Sequence, residues 1–255
     1  MNPRLLVVLT AGLLVLAPAG CGSEAESPDV ASKPPRAILS DVAAALEDVE
    51  SYHIDGTWID EQGLSRATGD VTAAGTMRIT LDQEYKSIEM LVTGSETFMK
   101  GNREFWVSDG DPTRLAAAEV LADRWAKVPP AAAASMKQAL DGVLPETLAY
   151  CVTRAVGTIS RKGTRQFSGN AVVVLADKGD RPGTSPGEVY IAASGPALPL
   201  RVLQTGPVSV GDVDPRCGDA GSTTTASDFR LSDFNEPVNI SAPSDAVDLA
   251  TLQSA

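Results

Sequence analysis

Along the chain the hydrophobic positions change period near Ser51. Before it, Ile38, Val42, Ala45, Leu46 and Val49 recur at helical spacing, which predicts an amphipathic helix over 37–49. After it the period is two. Tyr52, Ile54 and Trp58 alternate with His53, Asp55, Thr57 and Asp60, the pattern of a half-buried strand. Met77, Ile79 and Leu81 repeat the alternation, as do Ile88, Met90 and Val92, where Leu91 breaks it. Gly63, Gly69-Asp70, Gly75, Asp82-Gln83 and Gly94-Ser95 read as turns between these runs. Strands joined directly by turns form an antiparallel meander, because parallel pairing needs long crossovers.

Two short apolar runs follow at 97–100 and 103–107, joined by Gly101-Asn102, which predicts a tight hairpin. Segments 112–123 and 131–140 are rich in Ala and Leu and predict helices, with 125–128 extended between them. Strand patterning resumes at 156–161, 165–176, 188–193, 200–205 and 224–231. Sheet, helices and sheet again, with about ten strands, predict one α+β domain. A large antiparallel sheet of that size curls, and helices across its concave face complete the core.

The N-terminus has a different character. Arg4 precedes an apolar run of 12 residues, Leu5 to Leu16, the length of a secretory signal and too short to span a bilayer. Ala17-Pro18-Ala19-Gly20 then leads to Cys21, which resembles a bacterial lipobox. That resemblance implies cleavage before Cys21 and its modification by diacylglycerol, with palmitate-type chains as the anchor. An ordinary signal peptide cut near Ala19 is the other reading. The organisation expected is a signal peptide over 1–20, a tether over 21–35, one domain over 36–243 and a loose tail over 244–255.

Export decides how the cysteines are read. With Cys21 in the anchor, Cys151 and Cys217 remain for a disulfide in an oxidising compartment. Two separate buried thiols are the alternative. Their wide spacing is that of neither a redox CxxC motif nor a zinc ribbon.

Charge and composition narrow the function by exclusion. The formal net charge of -12 repels phosphate backbones, so no nucleic-acid partner is expected. The single His leaves no His pair for a zincin-type site. There is no GxSxG elbow, P-loop or GxGxxG, and Lys162-Gly163-Thr164 lacks a preceding glycine loop. Asp109-Gly110-Asp111-Pro112 reads as a turn capping the next helix, with weak cation binding as the alternative. His53 falls on the polar register of its strand. No catalytic residue, metal site or cofactor is expected, and the chain is not read as an enzyme.

Several segments taken in order carry a wider resemblance. They are Ser51-Tyr52-His53-Ile54-Asp55-Gly56 after a helix, Thr68-Gly69-Asp70-Val71-Thr72, Thr97-Phe98-Met99-Lys100-Gly101-Asn102, and Ala122-Asp123-Arg124-Trp125-Ala126-Lys127-Val128-Pro129. Gly187-Glu188-Val189-Tyr190-Ile191, Leu198-Pro199-Leu200-Arg201-Val202 and Leu231-Ser232-Asp233-Phe234-Asn235-Glu236-Pro237-Val238-Asn239-Ile240-Ser241-Ala242-Pro243 continue the series. Their order resembles actinobacterial lipoproteins of the LppX/LprG type, which share the fold of the carrier LolA. The resemblance implies a curved antiparallel half-barrel with helices over its concave face and an apolar cavity for acyl chains. It also implies a lipid or acylated glycolipid as ligand, moved between membrane and envelope, and anchoring on the outer face of the cytoplasmic membrane. The inward register of the early strands nominates Ile54, Trp58, Met77, Ile79, Ile88, Met90 and Phe98 as cavity lining, with solid core as the alternative for each. A second functional reading is a monomeric surface lipoprotein that engages an envelope protein and carries no lipid.

Overall fold

The computed structural model describes residues 30–94, 96–107, 112–217 and 222–252. The signal segment 1–20, Cys21, the tether up to residue 29, Ser95, Asp109-Gly110-Asp111 and residues 253–255 lie outside them.

Helix α1 (Pro35–Glu47) opens the domain, with proline in its first turn, where no backbone N–H is needed. Five antiparallel strands follow: β1 (Ser51–Asp60), β2 (Gly63–Thr72), β3 (Met77–Gln83), β4 (Lys86–Thr93) and β5 (Glu96–Gly101). Next come α2 (Arg103–Trp106), α3 (Pro112–Leu121), β6 (Ala126–Lys127), α4 (Pro130–Leu140) and α5 (Pro145–Cys151). The second meander comprises β7 (Ile159–Phe167), β8 (Asn170–Lys178), β9 (Pro186–Ala192), β10 (Pro199–Gln204) and β11 (Ala226–Ser232). The chain closes with β12 (Val247–Asp248) and α6 (Leu249–Leu252).

All twelve strands form one sheet, ordered β12-β6-β5-β4-β3-β2-β1-β11-β10-β9-β8-β7. Every pairing is antiparallel except β12 on β6, and the sheet is open, with β12 and β7 at its ends. The expected α+β half-barrel is the fold found. Helices α1 and α5 pack on each other over the concave face. Ile38, Val42 and Leu46 of α1 meet Tyr52, Val71, Met77, Ile79, Val173 and Ile191 in the main core. A second core joins Met90, Met99 and Ala126 to Leu121 of α3 and Ala133 of α4.

Several expectations are corrected. Gly69-Asp70 is no turn but lies within β2, a strand absent from the sequence reading. A Cβ at Gly69 would stand 2.1 Å from the Arg78 carbonyl oxygen, so the glycine serves close strand approach. Residues 103–106 form a helical turn and not a hairpin strand, because Asn102 caps it: its Oδ1 accepts from the Phe105 N–H at 2.9 Å and the Ser87 N–H at 3.1 Å. A tight turn at Ser168-Gly169 divides the strand expected over 165–176, giving β7 and β8. Helix α5 was not foreseen.

Both ends of the domain are longer than expected. Val30–Ser32 forms a 3₁₀ turn with Val30 buried, inside the segment read as tether. Arg161 holds that turn by donating to the carbonyls of Ala31 and Lys33, and Lys33 pairs with Asp41 at 2.8 Å. At the other end, Val247 and Leu249 pack on the second core, and the Val247 N–H donates to the Trp125 carbonyl at 2.8 Å. The tail is therefore anchored through β12 and α6.

Candidate functional site

Strand alternation decides which side chains face the helices. Tyr52, Ile54, Gly56 and Trp58 lie in register with Val71, Gly69, Ala67 and Ser65, and these with Met77, Ile79, Leu81 and Gln83. On the other side of β1, Ile54 pairs with Leu231, Gly56 with Phe229 and Trp58 with Ser227. The concave surface is thus apolar in the middle and becomes polar toward the β1–β2 turn.

Two cavities open on this surface. The inner one, about 430 Å³, lies between α1, α5 and strands β1 and β8–β11. Leu39, Leu46, Tyr52, Ile54, Leu175, Val189, Phe229 and Leu231 line it, with Asp177, Thr184, Glu188 and Gln204 among its polar groups. The outer cleft, about 630 Å³, is walled by Trp58, Leu81, Ile88, Phe105, Trp106 and Leu121 and rimmed by Asp60, Gln62, Asp82, Gln83 and Lys86. Both indole N–H groups are satisfied locally, Trp58 on Asp60 Oδ2 at 3.0 Å and Trp106 on the Gly101 carbonyl at 3.1 Å, so the rings present apolar faces. Among the described residues no buried side-chain polar atom lacks a hydrogen bond. The apolar walls offer shape and dispersion contacts.

The long β10–β11 connection is fastened over the inner cavity. A disulfide joins Cys151, the last residue of α5, to Cys217, and both line the cavity. Beside it the Tyr150 hydroxyl donates to Asp214 Oδ2 at 2.7 Å. That hydrogen bond holds the Asp214 carboxyl below its ordinary range. The Arg216 guanidinium lies 3.6 Å from the Tyr150 ring centroid.

Of the seven nominated residues, Ile54 lines the inner cavity and Trp58 and Ile88 the outer cleft. Met77 and Ile79 are packed in the main core and Met90 in the second, lining neither cavity. Phe98 is a correction. It pairs with Leu91 and not with Met90, so it lies on the convex face, while its neighbour Met99 faces inward opposite Met90. Tyr52, Phe105, Trp106 and Phe229 are wall residues that the sequence reading did not nominate. Tyr52 shares the register of Ile54 and could have been included. Phe229 becomes visible only once β11 is placed beside β1.

The convex face combines a charge ladder with buried apolar pairs such as Leu91 and Phe98. Glu89 bridges Arg78 and Lys100, the latter at 2.6 Å. Burial alone would raise the Glu89 pKa, but hydrogen bonds from Lys100 and Arg78 outweigh it and hold the carboxyl below its ordinary range. His53 Nδ1 lies 2.7 Å from Asp70 Oδ1, and its Nε2 lies 3.3 Å from Thr68 Oγ1. These groups belong to neither cavity. Among the described residues no cluster of three His, Cys, Asp or Glu side chains could hold a metal ion. No helix among them is long and apolar enough to cross a membrane.

No protein-family model matches the sequence, and no curated protein matches it. The folded chain is nonetheless similar to solved structures. LprF from Mycobacterium bovis is 18% identical with a TM-score of 0.52, over 82% of this chain and 96% of that one. The lipoprotein LppX from Mycobacterium tuberculosis is 16% identical with a TM-score of 0.49, over 82% and 100%. A LolA superfamily protein from Nitrosomonas europaea is 9% identical with a TM-score of 0.27, over 80% and 94%. At 18% identity the likeness to LprF is one of fold.

Proposed function

We propose that this protein is an extracytoplasmic lipoprotein, anchored by diacylglycerol on Cys21, that binds the acyl part of a lipid or acylated glycolipid for transport between membrane and envelope. The observation that carries the reading is the inner cavity of about 430 Å³, lined by aliphatic and aromatic side chains of α1, α5 and the concave sheet. Its size falls within the usual range for small-ligand sites, roughly 300–1,000 Å³. An apolar hollow with a few polar groups suits a ligand with a hydrocarbon part and a polar end. The chain acts in this reading as a monomeric carrier and performs no chemistry on its cargo. The lipobox-like segment ending at Cys21 and the fold shared with LprF support the placement.

The test is organic extraction of the full-length protein purified from its native membrane, followed by mass spectrometry. The covalent anchor stays with the polypeptide, so any released lipid is ligand. About one extractable lipid per chain is the expected result. A preparation releasing no more lipid than the same protein unfolded and refolded beforehand would overturn the reading.

A second reading has one observation in its favour. Ile59 and Leu64, directly paired across β1 and β2, are 46% and 60% exposed. A surface lipoprotein that engages an envelope protein through this convex-side pair would yield no lipid on extraction.

A further inference from the structure

The two cavities approach each other at one aromatic pair. Trp58 lines the outer cleft and Phe229 the inner cavity. Their ring centroids are 6.2 Å apart and their planes 18° from parallel. They stand on adjacent strands, where Gly56 is paired with Phe229 and Trp58 with Ser227, itself a lining residue of the inner cavity. Both rings are only half-buried although they face the concave side, because each has a hollow beside it.

The pair is held from both sides. A Cβ at Gly56 would come within 2.2 Å of Phe229 Cδ1 and 2.6 Å of Phe229 Cγ, so the ring rests on bare backbone. This close approach is the structural reason for glycine in the middle of β1. Trp58 is turned toward the rim by its hydrogen bond to Asp60. No polar group of either ring points at the other, so the contact is dispersive and either ring can be removed without stranding a donor.

We infer that Trp58 and Phe229 form a partition that sets the length of hydrocarbon the protein accepts. This rests on the reading that the inner cavity binds an acyl chain. With about 30 Å³ for each methylene-sized group, the volume of a water, 430 Å³ admits one chain of roughly 14 carbons. A longer chain meets the Phe229 and Trp58 rings. Removing either ring joins the inner cavity to the outer cleft, whose apolar wall of Leu81, Ile88 and Phe105 offers the continuation.

The test uses the full-length protein in mild detergent, loaded with a mixture of saturated fatty acids shorter and longer than that length. Native mass spectrometry reads which chains stay bound. In the wild type, occupancy should rise by about fourfold per methylene buried and stop rising at roughly 14 carbons. In Trp58→Ala and in Phe229→Leu the rise should continue past that length. A wild type that binds no fatty acid of any length sinks the binding reading and this inference with it. Binding that stops at one and the same length in wild type, Trp58→Ala and Phe229→Leu overturns the partition alone. Should Trp58→Ala fail to fold, Phe229→Leu decides, since it keeps an apolar side chain in place.

Discussion

The Tyr52 hydroxyl donates a hydrogen bond to the backbone carbonyl of Val143 and so ties the start of β1 to the turn between α4 and α5. Tyr52 is wholly buried, and burial pushes its phenol far above the ordinary tyrosine range. Phe234 stacks against it, with ring centroids 6.0 Å apart. Tyr52→Phe keeps the packing and leaves the Val143 carbonyl without this partner. The expected loss is about 1–2 kcal/mol in urea unfolding, with an unchanged denaturant slope. A loss below about 0.3 kcal/mol would mean that water replaces the phenol.

The disulfide between Cys151 and Cys217 closes a loop spanning 66 residues of sequence. A cross-link of that span removes about 4 kcal/mol worth of freedom from the unfolded chain. Reduction should lower the melting temperature, and thiol labelling of the unreduced full-length protein should find neither cysteine free. Labelling of both without reductant would remove the pairing.

Arg201 grips Asp228 through two edges, Nε to Oδ1 at 2.7 Å and Nη2 to Oδ2 at 2.6 Å. These hydrogen bonds hold the Asp228 carboxyl below its ordinary range. A carboxylate depressed in the folded state adds stability above its unfolded pKa of about 3.9 and loses it as pH falls through the lower folded value. Stability should therefore hold from neutrality to about pH 4 and fall below that. Asp228→Asn should flatten the acid limb and cost at most about 1 kcal/mol at neutral pH, because solvent screens the pair. An acid limb identical to the wild type's would remove Asp228 from this account.

Met90 is 6% exposed and sits among Met99, Leu121 and Ala133 in the second core. Met90→Trp adds bulk where neither cavity offers room, and overpacking of this kind costs typically about 1–3 kcal/mol. The expected outcome is a lowered melting temperature with lipid retention unchanged. Lost retention at an unchanged melting temperature would show that the cavity reaches this position.

Cys21 supplies the sulfur on which the proposed anchor depends. Cys21→Ala should leave the protein uncleaved or free it from the membrane fraction, since each buried methylene of the lipid contributes about 0.8 kcal/mol. A Cys21→Ala protein that is correctly cleaved and still sediments with membranes would assign attachment to another part of the chain.

The regular parts of the fold were legible because one side of each strand is buried. Tyr52, Ile54 and Trp58, or Ile88, Met90 and Val92, show the alternation directly. Strand β2 escaped because its inward residues Ser65, Ala67 and Gly69 are small, which leaves no hydrophobic period to read. The apparent fault at Leu91 was itself a signal. Leu91 and Phe98 are paired on the convex face, 3% and 4% exposed, so the break in alternation marks a second apolar surface. The helical turn after Asn102 depends on side-chain bonds to Ser87 and Tyr85, and the Trp58–Phe229 pair depends on strands far apart in sequence. Neither is a local property, so neither could be read from a window of residues.

The pairing of β1 with β11 has a consequence for how the molecule comes into being. Each meander can assemble from neighbouring hairpins, but the seam joins residues 53–59 to 226–232. A chain made from its N-terminus holds the free side of β1 open until almost all of it exists. Contacts so distant in sequence carry a large loop-closure cost before they stabilise anything, which makes closure of the seam the expected slow step of folding. Until then His53, Asp55, Thr57 and Ile59 border an unpaired edge that could recruit a strand from another molecule. The last long strand to be made is thus the one that seals the first.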